Sequence, residues 1–177
     1  MENNLKEKSS GRFYLLTIIL LAVLIAVDHL TKHLAVVYLK GQPPIVLIKG
    51  TLELHYLENH GAAFGMLQNQ QWLFAVLTVV FLVIAVWFFR KVPKTKKYLP
   101  LSVCVTFLVA GAIGNFIDRV VNKYVVDFIY FSGINFPIFN VADICVSLSV
   151  IVLVLLLLFK YKEGDMSFLK AKKEKQP

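Results

Sequence analysis

The chain has 177 residues, of which 58% are hydrophobic and 17% are charged, and its net charge is +8. Soluble domains are about 45–50% apolar and about 25% charged, so this composition excludes a disordered chain and argues against an ordinary soluble enzyme. A chain that is both apolar and basic points to a membrane, and we expect no nucleic-acid partner. The cysteines Cys104 and Cys145 lie in apolar runs, which indicates packing rather than a disulfide or a zinc site.

Four apolar stretches are long enough to cross a bilayer, which takes about 20 residues in a helix. They cover about residues 13–39, 72–89, 98–118 and 141–159. Strand-like alternation is absent from them, and lipid cannot satisfy the open edge of a sheet, so we expect helices. The sequence therefore predicts an all-α integral membrane protein in which residues 1–177 form one polytopic domain. Because a charge at position 28 interrupts the first stretch and no small-residue cleavage site follows it, we expect a retained span rather than a cleaved signal peptide.

The segment at about 40–71 is predicted to be more than a linker between spans. The runs Ile45–Ile48 and Thr51–Tyr56 are β-prone and are separated by Lys49-Gly50, which indicates a small hairpin. In the second run apolar residues alternate with polar ones, as in a sheet with one apolar face. The expected fold therefore includes a small extracytoplasmic sheet, together with a short interfacial helix.

The distribution of basic residues predicts the orientation in the membrane. Of the 19 Lys and Arg residues, 14 lie before the first span, between the second and third, or after the fourth. An even number of spans places these three sites on one side, which the positive-inside rule makes cytoplasmic. Both termini are then cytoplasmic, and the segments at about 40–71 and 119–140 face outward.

Ionisable residues within the spans gather at one predicted depth. Each costs about 2.5–3.5 kcal/mol on insertion scales, yet Asp28, Asp118 and Asp143 all fall near the outer third of a span. Helical spacing places further polar side chains beside them, namely Lys32, Asn115 and Arg119. Because Asp and Asn are too short to reach the headgroups as Lys and Arg can, the group indicates a polar site.

Asp127 and Asp143 are 16 residues apart, with Gly133 and Pro137 between them, which leaves room for a chain reversal. If the two carboxylates meet, they can hold one proton between them at neutral pH. One could then activate a water as a base while the other, protonated, polarises a carbonyl, as in an aspartic peptidase. Spacing alone leaves catalysis, ion coupling and structural hydrogen bonding open.

Other functional classes have less support in the sequence. His29 and His33 are i,i+4 neighbours, but the zinc motif His-Glu-x-x-His, serine-nucleophile motifs and a Gly-rich phosphate loop are all absent. The competing hypotheses are a small ion-coupled transporter, with Asp28, Asp118 and Asp143 as a cation path, and a non-catalytic assembly factor. The inner halves of the four spans carry no charge, which argues against a cation path.

Four motifs occur in order along the chain. They are Asp28-x-x-x-Lys32, then Asn59-His60-Gly61-Ala62-Ala63-Phe64-Gly65, then Gly114-Asn115-Phe116-Ile117-Asp118-Arg119 followed by Val125-Val126-Asp127-Phe128, and finally Phe136-Pro137-Ile138-Phe139-Asn140-Val141-Ala142-Asp143. In this order, on four spans, they resemble the motifs of the lipoprotein signal peptidases, or type II signal peptidases. The resemblance covers about residues 28–145 by motif and the rest by topology.

The resemblance implies a membrane aspartic endopeptidase that cuts the signal peptide from bacterial prolipoproteins, just before a cysteine that carries diacylglycerol. It implies that Asp127 and Asp143 are the catalytic pair and that neither a metal nor an organic cofactor is used. It further implies substrate-binding or site-supporting roles for Asp28, Lys32, Asn59, Gly61, Asn115, Arg119, Asn140 and Ala142. The expected partners are the prolipoproteins and membrane lipid. We expect a monomer in the bacterial inner membrane, with its site near the outer leaflet.

Overall fold

The computed structural model describes residues 2–61 and 70–169, which form four long helices and one small sheet. The helices are α1 (Glu2–Leu39), α2 (Gln71–Lys91), α3 (Leu99–Val121) and α4 (Val141–Leu155), the last continuing as a π-helical turn over Leu156–Lys160. The strands are β1 (Ile45–Ile48), β2 (Leu52–Asn59) and β3 (Val125–Tyr130). Short 3-10 turns cover Lys96–Tyr98, Ser132–Ile134 and Glu163–Leu169. All four helices are long and apolar enough to cross a membrane, which confirms the four predicted spans.

Helix α3 lies at the centre of the bundle. Half of its most apolar window is buried inside the protein, against 6% for α1 and for α2. Small residues permit this packing: a Cβ at Gly111 would collide with the Ala142 carbonyl oxygen, and one at Gly114 would lie 2.5 Å from Asp28 Oδ2. Such small residues let helix backbones approach closely in membrane proteins. Helices α1, α3 and α4 therefore meet where the in-span aspartates lie.

The link between α2 and α3 is short, and a lysine in it donates hydrogen bonds to carbonyls at the end of α2. Pro93 follows the last residues of α2, and the Lys94 ammonium donates to the carbonyls of Phe89 (2.8 Å) and Val92 (2.7 Å). Basic side chains commonly satisfy the last carbonyls of a helix in this way. Helix α3 then begins with Pro100 in its first turn, where the missing N–H is of no consequence.

The sheet has the order β1-β2-β3 with antiparallel pairing throughout. Strands β1 and β2 form the predicted hairpin, which turns at Gly50 with a left-handed φ of +70°. The pairing of β2 with β3 was not predicted, and it sets Leu57 opposite Asp127 and Asn59 opposite Val125. The end of β2 thus comes to the side of Asp127. The predicted short interfacial helix stays a prediction.

The chain reverses between β3 and α4, as predicted from the residues between the two aspartates. Phe139 returns to Ile129, and each donates its N–H to the other's carbonyl at 2.8–3.0 Å. Asn135, with a left-handed φ of 51°, lies in the turn. The reversal delivers the start of α4 to the strand that carries Asp127.

Two sequence features lie outside the described residues. The first is the latter part of the second motif, Ala62–Gly65, and the second is the basic stretch from Lys170 to Lys175. At the end of the bundle opposite the sheet, the segment just before α3 contacts the segment that follows α4. Lys97 pairs there with Asp165, and the Tyr161 hydroxyl donates to the Lys97 carbonyl at 2.8 Å.

Candidate active site

Asp143 is held in the first turn of α4 by a reciprocal pair of hydrogen bonds. Asn140 is the N-cap, and its Oδ1 accepts the Asp143 N–H at 3.0 Å. Asp143 Oδ2 in turn accepts the Asn140 N–H at 3.1 Å, which completes a capping box. The spacing Asn-x-x-Asp before an apolar run resembles the sequence signature of such a box.

Asp127 is 1% exposed and lies on β3 beneath two side-chain amides. Its Oδ1 accepts from Asn140 Nδ2 at 2.6 Å, and its Oδ2 accepts from Asn59 Nδ2 at 2.8 Å. Burial and then the negative charge of Asp143 raise the pKa of Asp127 to about 7, although both amides favour its ionised form. At neutral pH this carboxyl therefore stands near its titration midpoint.

Two asparagines connect the carboxylates. Asn140 Nδ2, which contacts Asp127, also lies 3.1 Å from Asn115 Oδ1. Asn115 Nδ2 then donates to Asp143 Oδ1 at 2.8 Å. The two aspartates therefore sit in one hydrogen-bonded group, to which β3, α3 and α4 each contribute.

Lys32 supports this group from α1. Its ammonium, in a residue that is 3% exposed, lies 2.8 Å from Asp28 Oδ2, 3.0 Å from Asp118 Oδ2 and 3.0 Å from Asn115 Oδ1. The ammonium thus donates a hydrogen bond to the Asn115 amide and forms ion pairs with two carboxylates. Asp28 also accepts the Ala142 N–H at 2.8 Å, which ties α1 to the start of α4.

Arg119 holds the end of β2. Its Nη2 donates to the Gly61 carbonyl at 3.2 Å and its Nη1 to the Asn115 carbonyl at 3.3 Å, while the guanidinium lies 4.4 Å from the Phe74 ring centre. Asn59 Oδ1 accepts the Gly61 N–H at 2.9 Å. The chain leaving β2 is thereby fixed against α3, with the Asn59 amide directed at the aspartate on β3.

The structure brings all ten candidate residues from the sequence into this one connected network. They are Asp28, Lys32, Asn59, Gly61, Asn115, Arg119, Asp127, Asn140, Ala142 and Asp143. Asp118 belongs to the network too. Depth and helical spacing placed it in the predicted polar group, but the family resemblance gave it no role.

The two histidines of α1 differ in how near they lie to the network, since His29 Nδ1 is 3.8 Å from Asp28 Oδ2. His33 is exposed, and His29 Nδ1 lies 3.1 Å from the Ile25 carbonyl. Within residues 2–61 and 70–169, no three His, Cys, Asp or Glu side chains are grouped so that they could hold a metal ion.

A cavity of about 850 Å³ opens onto the aspartates. One end of it is polar, with Asn59, Asn115, Arg119, Asp127 and Asp143. The rest of its wall is mainly apolar, with Phe136, Pro137, Ile138, Phe139, Ile144 and Leu148. A few convergent polar groups in a largely apolar cavity are typical of a binding site. This shape suits a substrate with one reacting polar bond and long apolar parts.

Comparison with known proteins agrees with this geometry. The family model of signal peptidase (SPase) II matches residues 20–159. A lipoprotein signal peptidase of Brevibacillus brevis is 43% identical over 129 residues, which cover 73% of this chain and 85% of that protein. A bacterial membrane enzyme solved by the in meso method at 2.3 Å superposes with a TM-score of 0.72 at 33% identity, covering 90% of this chain and 94% of that one. A second such structure, at 1.9 Å, gives a TM-score of 0.71 at 33% identity, covering 82% and 94%. The chain therefore belongs to the signal peptidase II family of membrane aspartic proteases.

Proposed function

We propose that this chain removes the signal peptide from prolipoproteins whose cysteine carries a diacylglyceryl group, cutting just before that cysteine. The observation that carries the proposal is the pair of buried carboxylates, Asp127 and Asp143, at the polar end of a largely apolar cavity. Membership of the family supports prolipoproteins as the substrates. The same membership gives no support to an ion-coupled transporter.

Asp127 and Asp143 act as the catalytic pair, sharing one proton. The ionised carboxylate takes a proton from the attacking water, and the protonated one donates to the scissile carbonyl oxygen. The new C–O bond yields a tetrahedral intermediate, and a proton passed to the amide nitrogen lets the C–N bond break. The raised pKa of Asp127 supports this division of labour, because a carboxyl near its midpoint at neutral pH can hold the shared proton. Neither step calls for a metal or an organic cofactor.

The remaining site residues orient the pair and the substrate. Asn59 and Asn140 fix the Asp127 carboxylate from two sides, and Asn115 fixes that of Asp143. Arg119 lies in the cavity wall, where its guanidinium can also donate to a substrate carbonyl. The apolar wall takes the lipid chains and the signal peptide. Because one chain supplies every group in the site, we propose that a monomer suffices and that no nucleic acid takes part.

The function is tested with purified protein and two matched precursors. One is a synthetic prolipoprotein with a diacylglyceryl cysteine, and the other has the same sequence with an unmodified cysteine. Mass spectrometry should find the released signal peptide ending just before the cysteine, and only from the lipidated precursor. No cleavage of the lipidated precursor, or cleavage at another bond, would contradict the proposal.

The cleavage rate is expected to fall as the pH rises through about 7, where the raised pKa of Asp127 places loss of the shared proton. It should also fall at low pH, when both carboxylates are protonated and no base remains. The profile of kcat/KM against pH checks this. A rate that stays constant from neutral to alkaline pH would show that the proton is not shared in this way.

We propose that both termini are cytoplasmic and that the site lies near the outer leaflet, because the positive-inside rule makes the basic end of α2 and the basic turn before α3, which lie away from the sheet, cytoplasmic. Single cysteines are placed at the exposed positions Ile134 and Lys96, after Cys104 and Cys145 are replaced by alanine. An impermeant thiol reagent should label position 134 in intact cells and position 96 only after permeabilisation. The reverse pattern would overturn the orientation.

A further inference from the structure

Strand β3 is secured on both of its edges. On one edge it pairs with β2, and on the other Ile129 pairs with Phe139. At its beginning, the Val126 N–H, one residue before Asp127, is donated to Asp118 Oδ2 at 3.3 Å. The Asp118 carboxylate thus accepts a backbone donor of the strand where no neighbouring strand does. It joins the end of α3 directly to the residue that precedes Asp127.

The same Asp118 oxygen contacts Lys32 Nζ at 3.0 Å, and that ammonium contacts Asn115 Oδ1 at the same distance. Asn115 in turn donates to Asp143. Two arms therefore extend from one ammonium: one runs through Asp118 to the backbone beside Asp127, and the other runs through Asn115 to Asp143.

Asp118 has no direct access to a substrate. It is 5% exposed, and it is not among the described residues that line the cavity. Its Oδ2 contacts the Lys32 ammonium and accepts the Val126 N–H. Asp118 therefore cannot act on cleavage by touching the substrate.

We propose that Asp118 is a positioning residue that holds the beginning of β3, and with it Asp127, at the correct separation from Asp143. The inference rests on the proposed function, in which those two aspartates react. Displacement of a reacting group by about 1 Å can lower a rate by about 100-fold. Loss of this anchor should therefore lower kcat, while KM, which depends on the cavity wall, should change little.

The charge of Asp118 should also affect how the catalytic pair titrates. Among the described residues, the ionisable groups around Asp127 and Asp143 include Asp28, His29 and Lys32 on α1, Asp118 and Arg119 on α3, and Glu58 and His60 at the end of β2. Removing one negative charge from this set makes ionisation of the pair easier. The acid limb of the pH–rate profile should then move to lower pH.

The test compares Asp118→Asn with Asp118→Ala in the purified full-length protein. The asparagine keeps an oxygen for the Val126 N–H but loses the charge, so it should shift the acid limb to lower pH with a small loss of kcat. The alanine removes both, and kcat should fall by about 100-fold with little change in KM. Asp165→Asn is the matched control, because Asp165 pairs with Lys97 at the far end of the bundle and should leave kcat and the profile unchanged.

The outcomes separate this inference from the proposed function. If Asp118→Ala melts like the wild type and keeps its kcat, the positioning role is wrong. If Asp118→Ala does not fold, Asp118→Asn decides, and an unshifted acid limb with unchanged kcat overturns the inference. If instead the wild type fails to cleave, or Asp127→Asn still cleaves, the proposed function itself fails.

Discussion

Asp127→Asn and Asp143→Asn are each expected to abolish cleavage while leaving the helices and the sheet in place. Asparagine nearly preserves the shape of aspartate but cannot hold or accept the proton that hydrolysis moves. The double variant should be no worse than either single one, because the pair acts as one unit and is destroyed in each case. Single-turnover cleavage of the lipidated precursor, read by mass spectrometry, measures the loss.

The two variants should still fold, although the loss of a hydrogen bond lowers their stability. At position 127 the new amide can offer its oxygen to Asn140 or to Asn59, but not to both. One donor then loses its acceptor, at a cost of about 1–3 kcal/mol if it stays buried. Asp165→Asn controls for the general effect of changing a carboxylate to an amide and should cleave normally. Substantial cleavage by either Asp127→Asn or Asp143→Asn would remove that residue from the catalytic pair.

Lys32→Met is expected to be strongly destabilising. Methionine approximates the length of the stem but leaves Asp28 and Asp118, which are 2% and 5% exposed, without their common cation. Removing one partner from a buried ion pair typically costs about 3–5 kcal/mol, because the remaining charge is buried without compensation. Cleavage should be lost as well, since Asn115 is no longer held by the ammonium.

The buried thiols Cys104 and Cys145 provide the readout, because a thiol-reactive fluorescent dye labels them as the protein unfolds on heating. The melting temperature of Lys32→Met should fall sharply, and adding Asp118→Asn should recover part of the loss by removing one uncompensated charge. Lys97→Met is the matched control, since Lys97 pairs with Asp165 at an exposed position and should change the melting temperature little. A wild-type melting curve for Lys32→Met would show that the two carboxylates do not need the lysine.

Features that depend on neighbouring residues could be read from the sequence by itself. The lengths of the apolar runs predicted four spans, because a helix must cover the thickness of the bilayer. The Lys49-Gly50 turn predicted the hairpin of β1 and β2. The helical spacing of Asp28 and Lys32 predicted their ion pair, which the structure shows at 2.8 Å. Depth and helical spacing drew attention to several site residues, whereas the full set of ten and their roles came from ordered motifs that resemble a family.

The tertiary structure alone decided which of these features meet. Asn59 reaches Asp127 across 68 residues, and Asp28 reaches the Ala142 N–H across 114. Helical or strand periodicity tells which residues share a face but not which face lies opposite. The pairing of β2 with β3 was missed for this reason. The contact between α1 and α3 at Gly114, where Asp28 leaves no room for a side chain, is likewise a property of the assembled helices.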